Sequence, residues 1–145
     1  MLKKVVLSVD PSPESRAATA WCLDNLTPDT TIVAVCGIND VGEFVIGLPL
    51  FDQAGDAAGL HRALESRWVA PLREAGFDCR PRFMHHSQAT AIRHAVADEH
   101  PDAVIVGKAA HSALREHVAP GVGVVLAHHM PCPVILVPAS DAASA

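Results

Sequence analysis

Short, nearly continuous apolar runs alternate along the chain with longer segments in which apolar residues recur at helical spacing. Four of the runs are rich in β-branched residues and predict strands that are covered on both faces, at 5–9, 31–36, 103–106 and 134–137. A fifth strand is predicted at 79–84, where Pro81 and two arginines indicate the edge of a sheet.

The segments between these strands predict four helices, since their apolar residues recur every three or four positions through 18–26, 60–72, 89–96 and 122–126. Ser12 and Pro13 suit the start of the first helix, Gly76 is a stop signal for the second, and Pro71 should bend the second. The order βαβαβαβαβ predicts an α/β fold, a single domain with a five-stranded parallel, doubly wound, Rossmann-like sheet.

Composition adds limits on partners and location. The 145 residues suffice for one domain, which we expect at 1–138, with a disordered tail at 139–145. Acidic residues outnumber basic ones and give a net charge of −5 without any basic block, so neither nucleic acid nor a membrane is an expected partner. The chain shows no signal-peptide pattern and no apolar stretch of about 20 residues, which favours the cytoplasm. The 4 cysteines form no CxxC pair and are expected to be reduced core thiols.

Ligands of such a fold are expected beyond the carboxyl ends of the strands. Asp10 follows the first strand, where its carboxylate would accept hydrogen bonds from an adenine amine or a ribose hydroxyl, or would cap its own turn. Both interpretations remain open. The same turn lacks the glycines of a dinucleotide fingerprint, a Walker A loop or a Gly-Gly phosphate turn, which disfavours those three classes of nucleotide-binding protein.

The 9 histidines predict no metal site. His85 and His86 would point to opposite faces of a strand, and His128 and His129 would diverge by about 100° on a helix, so neither pair chelates an ion alone. No nucleophile, base and orienting group can be assembled from local spacing either, so we do not expect an enzyme.

The segment Phe44–Phe51 is unusually apolar for a connection in a compact domain. One interpretation is that it packs over the sheet edge or the second helix. The other is that it acts as a lid or binds a protein partner.

Three segments together resemble the universal stress protein family over residues 3–138: the opening VVLSVDPSPES, the segment DAVIVGKAAHSALRE and the closing PCPVILVP. The resemblance implies a five-stranded parallel α/β sheet and a homodimer in which the last strands of two subunits pair. The chain itself favours such pairing, because an uncharged edge strand formed by Val134, Ile135, Leu136 and Val137 would promote aggregation unless it were covered.

Many members of that family bind ATP, with Mg²⁺, through a Gly-x-x-Gly-x9-Gly-Ser/Thr loop after the fourth strand and an Asp after the first. Asp10 and Gly107 match this pattern. Ala110, Pro120 and Gly121 replace the second glycine, the third glycine and the hydroxyl residue, and a further family hydroxyl falls at Gly123.

These replacements matter because such a loop binds phosphate through backbone N–H groups, and Pro120 has none. One lost charge-assisted hydrogen bond costs about 1.5–3 kcal/mol, and a left-handed conformation at Ala110, if that glycine is needed for it, costs roughly 1–2 kcal/mol. With the hydroxyls lost as well, a micromolar site would weaken toward millimolar. Gly121, Val122 and Gly123 keep their N–H groups and Lys108 adds a positive charge, which offers partial compensation.

The resemblance therefore implies two functions. The first is a regulatory or protective homodimeric module, non-enzymatic, with weak or absent ATP binding, as in a family branch that lacks the loop. The second is an ATP-binding protein with slow hydrolysis or autophosphorylation, in which His111 or Ser112 would accept the phosphoryl group; otherwise these two are a solvated histidine and a capping serine. Nucleotide contacts, if present, are expected from Val9, Asp10, Val35, Gly107, Lys108, Ala110, Gly121, Val122 and Gly123.

Overall fold

The computed structural model describes residues 2–10, 13–37, 62, 65–108, 126 and 128–139. Its five strands are β1 (Lys4–Ser8), β2 (Thr31–Gly37), β3 (Asp78–Met84), β4 (Ala103–Lys108) and β5 (Val134–Pro138). They form one sheet in the order β3-β2-β1-β4-β5, and every neighbouring pair is parallel. The predicted α/β fold with a five-stranded parallel sheet is confirmed.

Pairing extends the strands beyond their apolar runs. Lys4 pairs with Thr31, so β1 begins one residue earlier than predicted and ends at Ser8. At the other end of the sheet, Gly107 and Lys108 pair with the last residues of β5, so β4 continues past the predicted end at Val106. The ends of these strands are determined by backbone hydrogen bonds, so they cannot be predicted from side-chain hydrophobicity alone.

Helices cover both faces of the sheet. The helix α1 (Pro13–Asn25) lies on one face together with a π-helical segment (Glu65–Val69) and α2 (Ala70–Glu74), while α3 (Gln88–Glu99) lies on the other. Alternate residues of β1 supply the two cores: Val5 and Leu7 pack on the α1 side, and Val6 packs on the α3 side. This alternation is the expected result of a strand buried on both faces.

The described part of the second predicted helix changes its hydrogen-bonding pattern where Pro71 lies. A π-helical segment ends at Val69 and α2 follows directly, with Pro71 in its first turn. Val69 keeps right-handed helical backbone angles, so the helical backbone is continuous through the junction. Proline removes one intrahelical donor, and a π segment beside a proline is typical of a kink. The predicted bend at Pro71 stays a prediction.

The predicted stop at Gly76 is confirmed. Its φ of +99° is a conformation that glycine adopts readily, and its N–H donates to the Arg73 carbonyl at 3.0 Å. The Phe77 N–H donates to the Leu72 carbonyl at 3.1 Å, and both of these side chains are buried in the same core. The two hydrogen bonds and the apolar contact constitute a Schellman motif.

The predicted edge position of the third strand is also confirmed, since among the described strands β3 pairs with β2 alone, and Pro81 lies opposite Ala34. The start of α1 at Pro13 agrees with prediction, whereas Ser12 lies outside the described residues. Of the predicted fourth helix, the structure describes only Leu126, which is helical and fully buried against the α3 side of the sheet.

All 4 cysteines are free thiols: Cys22, Cys36 and Cys79 are buried, and Cys132 is partly exposed. In the part of the chain that the structure describes, no helix has both the length and the apolar character needed to cross a membrane.

Candidate functional site

The candidate site lies at the carboxyl edge of the sheet, where β1 and β4 are adjacent. The chain moves outward from β1 through β2 to β3 and then crosses to β4 and β5 on the other side. In an open α/β sheet, this change of direction creates the crevice in which ligands bind. Asp10 follows β1, and Gly107 and Lys108 end β4, so the topology brings these three predicted residues to the two sides of the crevice.

The turn after β1 is held by Ser15, a buried residue of α1. Its Oγ accepts a hydrogen bond from the Asp10 N–H at 3.1 Å and donates to the Ser8 carbonyl at 3.5 Å. In the same helix, the Thr19 hydroxyl donates to the Ser15 carbonyl at 3.0 Å. Capping by a serine side chain thus fixes the backbone of Asp10.

The carboxylate of Asp10 is half-buried and acts electrostatically on the end of β2. Burial raises the pKa of the Cys36 thiol to about 12, and the negative charge of Asp10 adds to that rise. A carboxylate beside a protonated thiol does not activate a nucleophile, because reactive cysteines need an environment that lowers the pKa.

The two valines among the predicted contacts present only their backbone to this edge. Their side chains are buried in opposite faces of the sheet, Val9 in the α1 core and Val35 in the α3 core. The Val9 N–H already donates to the Val35 carbonyl at 2.9 Å. Any ligand contact of these residues would therefore go through peptide groups that have partners within the chain.

Sequence reasoning missed Gln88, the first residue of α3, which makes four hydrogen bonds at this edge. Its Nε2 donates to the Ser8 hydroxyl at 2.9 Å, to the Val35 carbonyl at 2.9 Å and to the Val9 carbonyl at 3.3 Å. Its Oε1 accepts from the Gly37 N–H at 2.6 Å. One side-chain amide thus connects the carboxyl ends of β1 and β2.

The start of α3 lies directly against the end of β2. Ser87 caps the helix by accepting from the Thr90 N–H, and a Cβ placed on Gly37 would lie 2.6 Å from the His86 carbonyl oxygen and 2.7 Å from the Ser87 carbonyl carbon. Only glycine allows this approach, so the position of Gln88 is set by close backbone packing.

Gly107 makes a similar contact on the other side of the crevice. A Cβ at this position would lie 2.0 Å from the Glu14 carbonyl oxygen and 2.3 Å from its carbonyl carbon. The first turn of α1 therefore rests on the end of β4. Lys108 follows with an exposed side chain, and its carbonyl accepts from the Ala139 N–H at 3.1 Å.

The remaining predicted contacts, Ala110, His111, Ser112, Gly121, Val122 and Gly123, lie outside the described residues, as does the apolar segment Phe44–Phe51.

The histidines that the structure describes are exposed at this edge and elsewhere. His86 stacks on His94 with ring centroids 4.7 Å apart, and His128 meets His129 edge-on at 6.5 Å. Over the described ranges, no group of three or more His, Cys, Asp or Glu side chains is arranged to bind a metal ion.

Comparison with known proteins identifies the family. A model of the universal stress protein family matches residues 1–138. The chain belongs to the universal stress protein family. The resemblance found in the sequence is thereby confirmed. No sequence among the curated proteins matches this one.

Solved structures of universal stress proteins share the fold. A family protein from Arabidopsis thaliana with AMP bound has a TM-score of 0.74 at 19% identity, covering 97% of this chain and 94% of that one. A universal stress protein in complex with cAMP has a TM-score of 0.70 at 18% identity, with coverages of 96% and 99%. For universal stress protein UspA from Lactobacillus plantarum the values are 0.66 and 16%, with coverages of 93% and 97%.

Proposed function

We propose that this universal stress protein is a regulatory or protective module, non-enzymatic and with weak or absent ATP binding. The observation that supports it most is the contact between Gly107 and Glu14. Gly107 is the one glycine that the chain shares with the family's ATP loop. A Cβ at this position would overlap the carbonyl group of Glu14, so the packing requires a glycine there whether or not a nucleotide binds. Packing alone therefore explains the glycine at position 107.

The composition of the following loop supports the same proposal. Ala110 and Pro120 stand at two glycine positions of the family pattern, and Gly121 replaces its hydroxyl residue. A proline removes one N–H donor to a phosphate oxygen, and a lost charge-assisted hydrogen bond costs about 1.5–3 kcal/mol. This loss alone weakens binding by roughly one to two orders of magnitude.

The alternative is an ATP-binding protein with slow hydrolysis or autophosphorylation. It is favoured by the presence of Asp10, Gly107 and Lys108 on the two sides of the crevice and by the AMP and cAMP found in two structures of the same fold. Under this alternative, the N–H groups of Gly121, Val122 and Gly123 would bind phosphate and the Lys108 charge would assist. The phosphoryl acceptor would be His111 or Ser112.

Calorimetric titration of the purified protein with ATP and Mg²⁺ distinguishes the two, after release and mass analysis of any nucleotide that co-purifies. Under the proposed function we expect no co-purified nucleotide and no saturable heat up to millimolar ATP. Micromolar affinity would overturn the proposal. In that event, Asp10→Ala should abolish binding, while Asp24→Ala, on the exposed part of α1, should not.

We further propose that the chain is a cytoplasmic homodimer whose edge strands β5 pair. In support, β5 pairs with β4 on one side, and among the described residues no strand lies on its other side. The side chains of Val134, Ile135 and Leu136 are only half-buried within one chain. Uncharged edge strands of this kind tend to pair with a second chain.

Sedimentation velocity at micromolar concentration tests the dimer. We expect twice the mass of one chain, and a shift to monomer for Leu136→Asp, which places a charge where two β5 edges would meet. The control variant is Asp29→Asn, because Asp29 is exposed. Asp102 is also exposed, but its carboxylate accepts hydrogen bonds from the backbone of residues 3 and 4, so it is not used. A wild-type monomer would contradict the proposal and direct attention to protein partners of the Phe44–Phe51 segment.

A further inference from the structure

The hydrogen bonds of Gln88 define a pattern of one acceptor and one donor at the carboxyl end of β2, which is called the β2 edge below. The Val35 carbonyl and the Gly37 N–H lie two residues apart on one strand, and both are bonded by the same side-chain amide, at 2.9 Å and 2.6 Å. The edge thus offers an acceptor next to a donor. The pairing of β1 with β2 stops at Ser8 and Val35, and the Val9 N–H still donates to the Val35 carbonyl. Beyond that bond, the Gln88 amide lies between the Val9 carbonyl and the Gly37 N–H and bonds to both.

The chemical complement of this pattern is a donor next to an acceptor in one plane. A primary amide has it, and so does adenine, through its 6-amino group and N1. Hypoxanthine and guanine have the opposite arrangement, with an acceptor at O6 and a donor at N1. In this chain, the complement is provided internally, by the side chain of Gln88.

We propose that Gln88 is a specificity-determining residue that occupies the β2 edge in place of an adenine base. The inference rests on the proposed function, since it gives a second reason, independent of the phosphate loop, for weak nucleotide binding. Gln88 belongs to the chain and is held close to the edge by the contact of Gly37 with residues 86 and 87. Its binding to this edge therefore loses none of the translational and rotational entropy that a free base would lose.

The arrangement also explains why the competition is strong. The Gln88 amide bonds three acceptors and one donor in a half-buried position, so a base that displaced it would have to satisfy the Val35 and Gly37 groups and leave Ser8 and Val9 with water. Adenine offers its 6-amino group and N1 at this edge, whereas the two N–H groups of the amide are shared among three acceptors and its oxygen bonds the Gly37 N–H. The exchange is unfavourable before any phosphate contact is counted.

Adenosine is the probe that tests the edge alone, because it carries the base without phosphate. We would shorten the side chain in two variants, Gln88→Ala and Gln88→Asn, and follow the Gly37 amide resonance by ¹H–¹⁵N NMR during titration with adenosine. Inosine, which differs in the 6-position, is the comparison ligand. Asn25→Ala is the matched control variant, since Asn25 also uses a side-chain amide, bonded to the Trp21 carbonyl at 3.0 Å, but lies at the end of α1.

We expect the two variants to bind adenosine at least tenfold more tightly than the wild type, because each neutral hydrogen bond made available is worth about 1 kcal/mol, or roughly fivefold. The Gly37 resonance should shift on saturation, inosine should bind more weakly than adenosine, and Asn25→Ala should behave as the wild type.

Two binding results would overturn the proposal. They are unchanged adenosine binding in folded variants and an equal gain for inosine. Loss of the fold in both variants would also overturn it, because Gln88 would then be a structural residue.

The outcomes separate this inference from the proposed function. If the wild type bound ATP with Mg²⁺ at micromolar affinity and Gln88→Ala bound adenosine more tightly than the wild type, the proposed weak ATP binding would be refuted and the role of Gln88 would stand. If the wild type showed no ATP binding and neither variant bound adenosine more tightly, the proposed function would stand and the role of Gln88 would be refuted.

Discussion

Gly107→Ala is the substitution that most directly tests the packing of the crevice. The added methyl group would be placed against the backbone of Glu14, in the first turn of α1. Neither atom it meets can rotate away, because both belong to a peptide group. The side chain of a flexible residue would yield at little cost, whereas here the start of the helix has to move.

The structure indicates the size of the effect. The new Cβ would lie 2.0 Å from the Glu14 oxygen and 2.3 Å from its carbonyl carbon, and relief to an ordinary contact of about 3.5 Å requires a shift of more than 1 Å. Overpacking of a core costs about 1–3 kcal/mol, and we expect the upper end of that range. For a domain of this size, about 3 kcal/mol lowers the melting temperature by roughly 6–12 °C.

Urea and thermal denaturation followed by circular dichroism would measure the loss. Gly76→Ala is the matched control: its Cβ meets nothing closer than Pro28 at 3.6 Å, but its φ of +99° strains any other residue. We expect the control to cost about 1–2 kcal/mol from backbone strain alone, less than Gly107→Ala. A Gly107→Ala protein as stable as the wild type would refute the packing argument. Nucleotide binding would then be the better explanation for a glycine at position 107.

Two further predictions concern the helix cap and the thiols. Ser87→Ala should lower the free energy of unfolding by about 1 kcal/mol in urea denaturation, because the α3 cap is lost, and Ser87→Asp should restore most of it. Burial raises the pKa of Cys22 and Cys36 to about 12 and that of Cys79 to about 11, above the ordinary 9.0, so the folded chain keeps protons that the unfolded chain releases. Stability is therefore full below pH 9 and falls toward pH 11–12, by about 1.4 kcal/mol per thiol at pH 10, and an equal urea midpoint at pH 7.5 and pH 10 would contradict this. In the native protein only Cys132 should react with a thiol reagent, whereas denaturant should expose all 4 thiols.

Local signals predicted the parts of the fold that depend on neighbouring residues. Pro13 at the first helical position and Gly76 after the last are read from the residues themselves, since each has a backbone preference that few other residues share. Pro81 indicated an edge strand for the same reason. Alternating apolar runs then sufficed for the class of fold, because buried parallel strands and amphipathic helices differ in period.

The features that sequence reasoning missed depend on contacts between distant residues. Gln88 bonds to Ser8 and Val35, which lie 80 and 53 positions away in the sequence. Glutamine has no backbone preference from which these contacts could be predicted. The contact of Gly107 with Glu14 likewise joins β4 to the start of α1. The π-helical segment before Pro71 was not predicted, because an apolar helical pattern does not distinguish π-helical from α-helical hydrogen bonding.

In the part of the chain that the structure describes, residues at the starts of α1 and α3 contact the strand ends at the carboxyl edge of the sheet. Ser15 binds the turn after β1, Gln88 binds the ends of β1 and β2, and Glu14 rests on the end of β4. In an α/β protein that binds a ligand at this edge, such peptide groups are the recognition elements. Here backbone groups at the ends of β1 and β2 bond to helix side chains, and Gly107 contacts the backbone of α1. Under the proposed function, a nucleotide would have to compete with these helices for the strand ends. Membership of the family therefore does not by itself bring nucleotide binding with it, because one fold can use the same strand ends for either purpose.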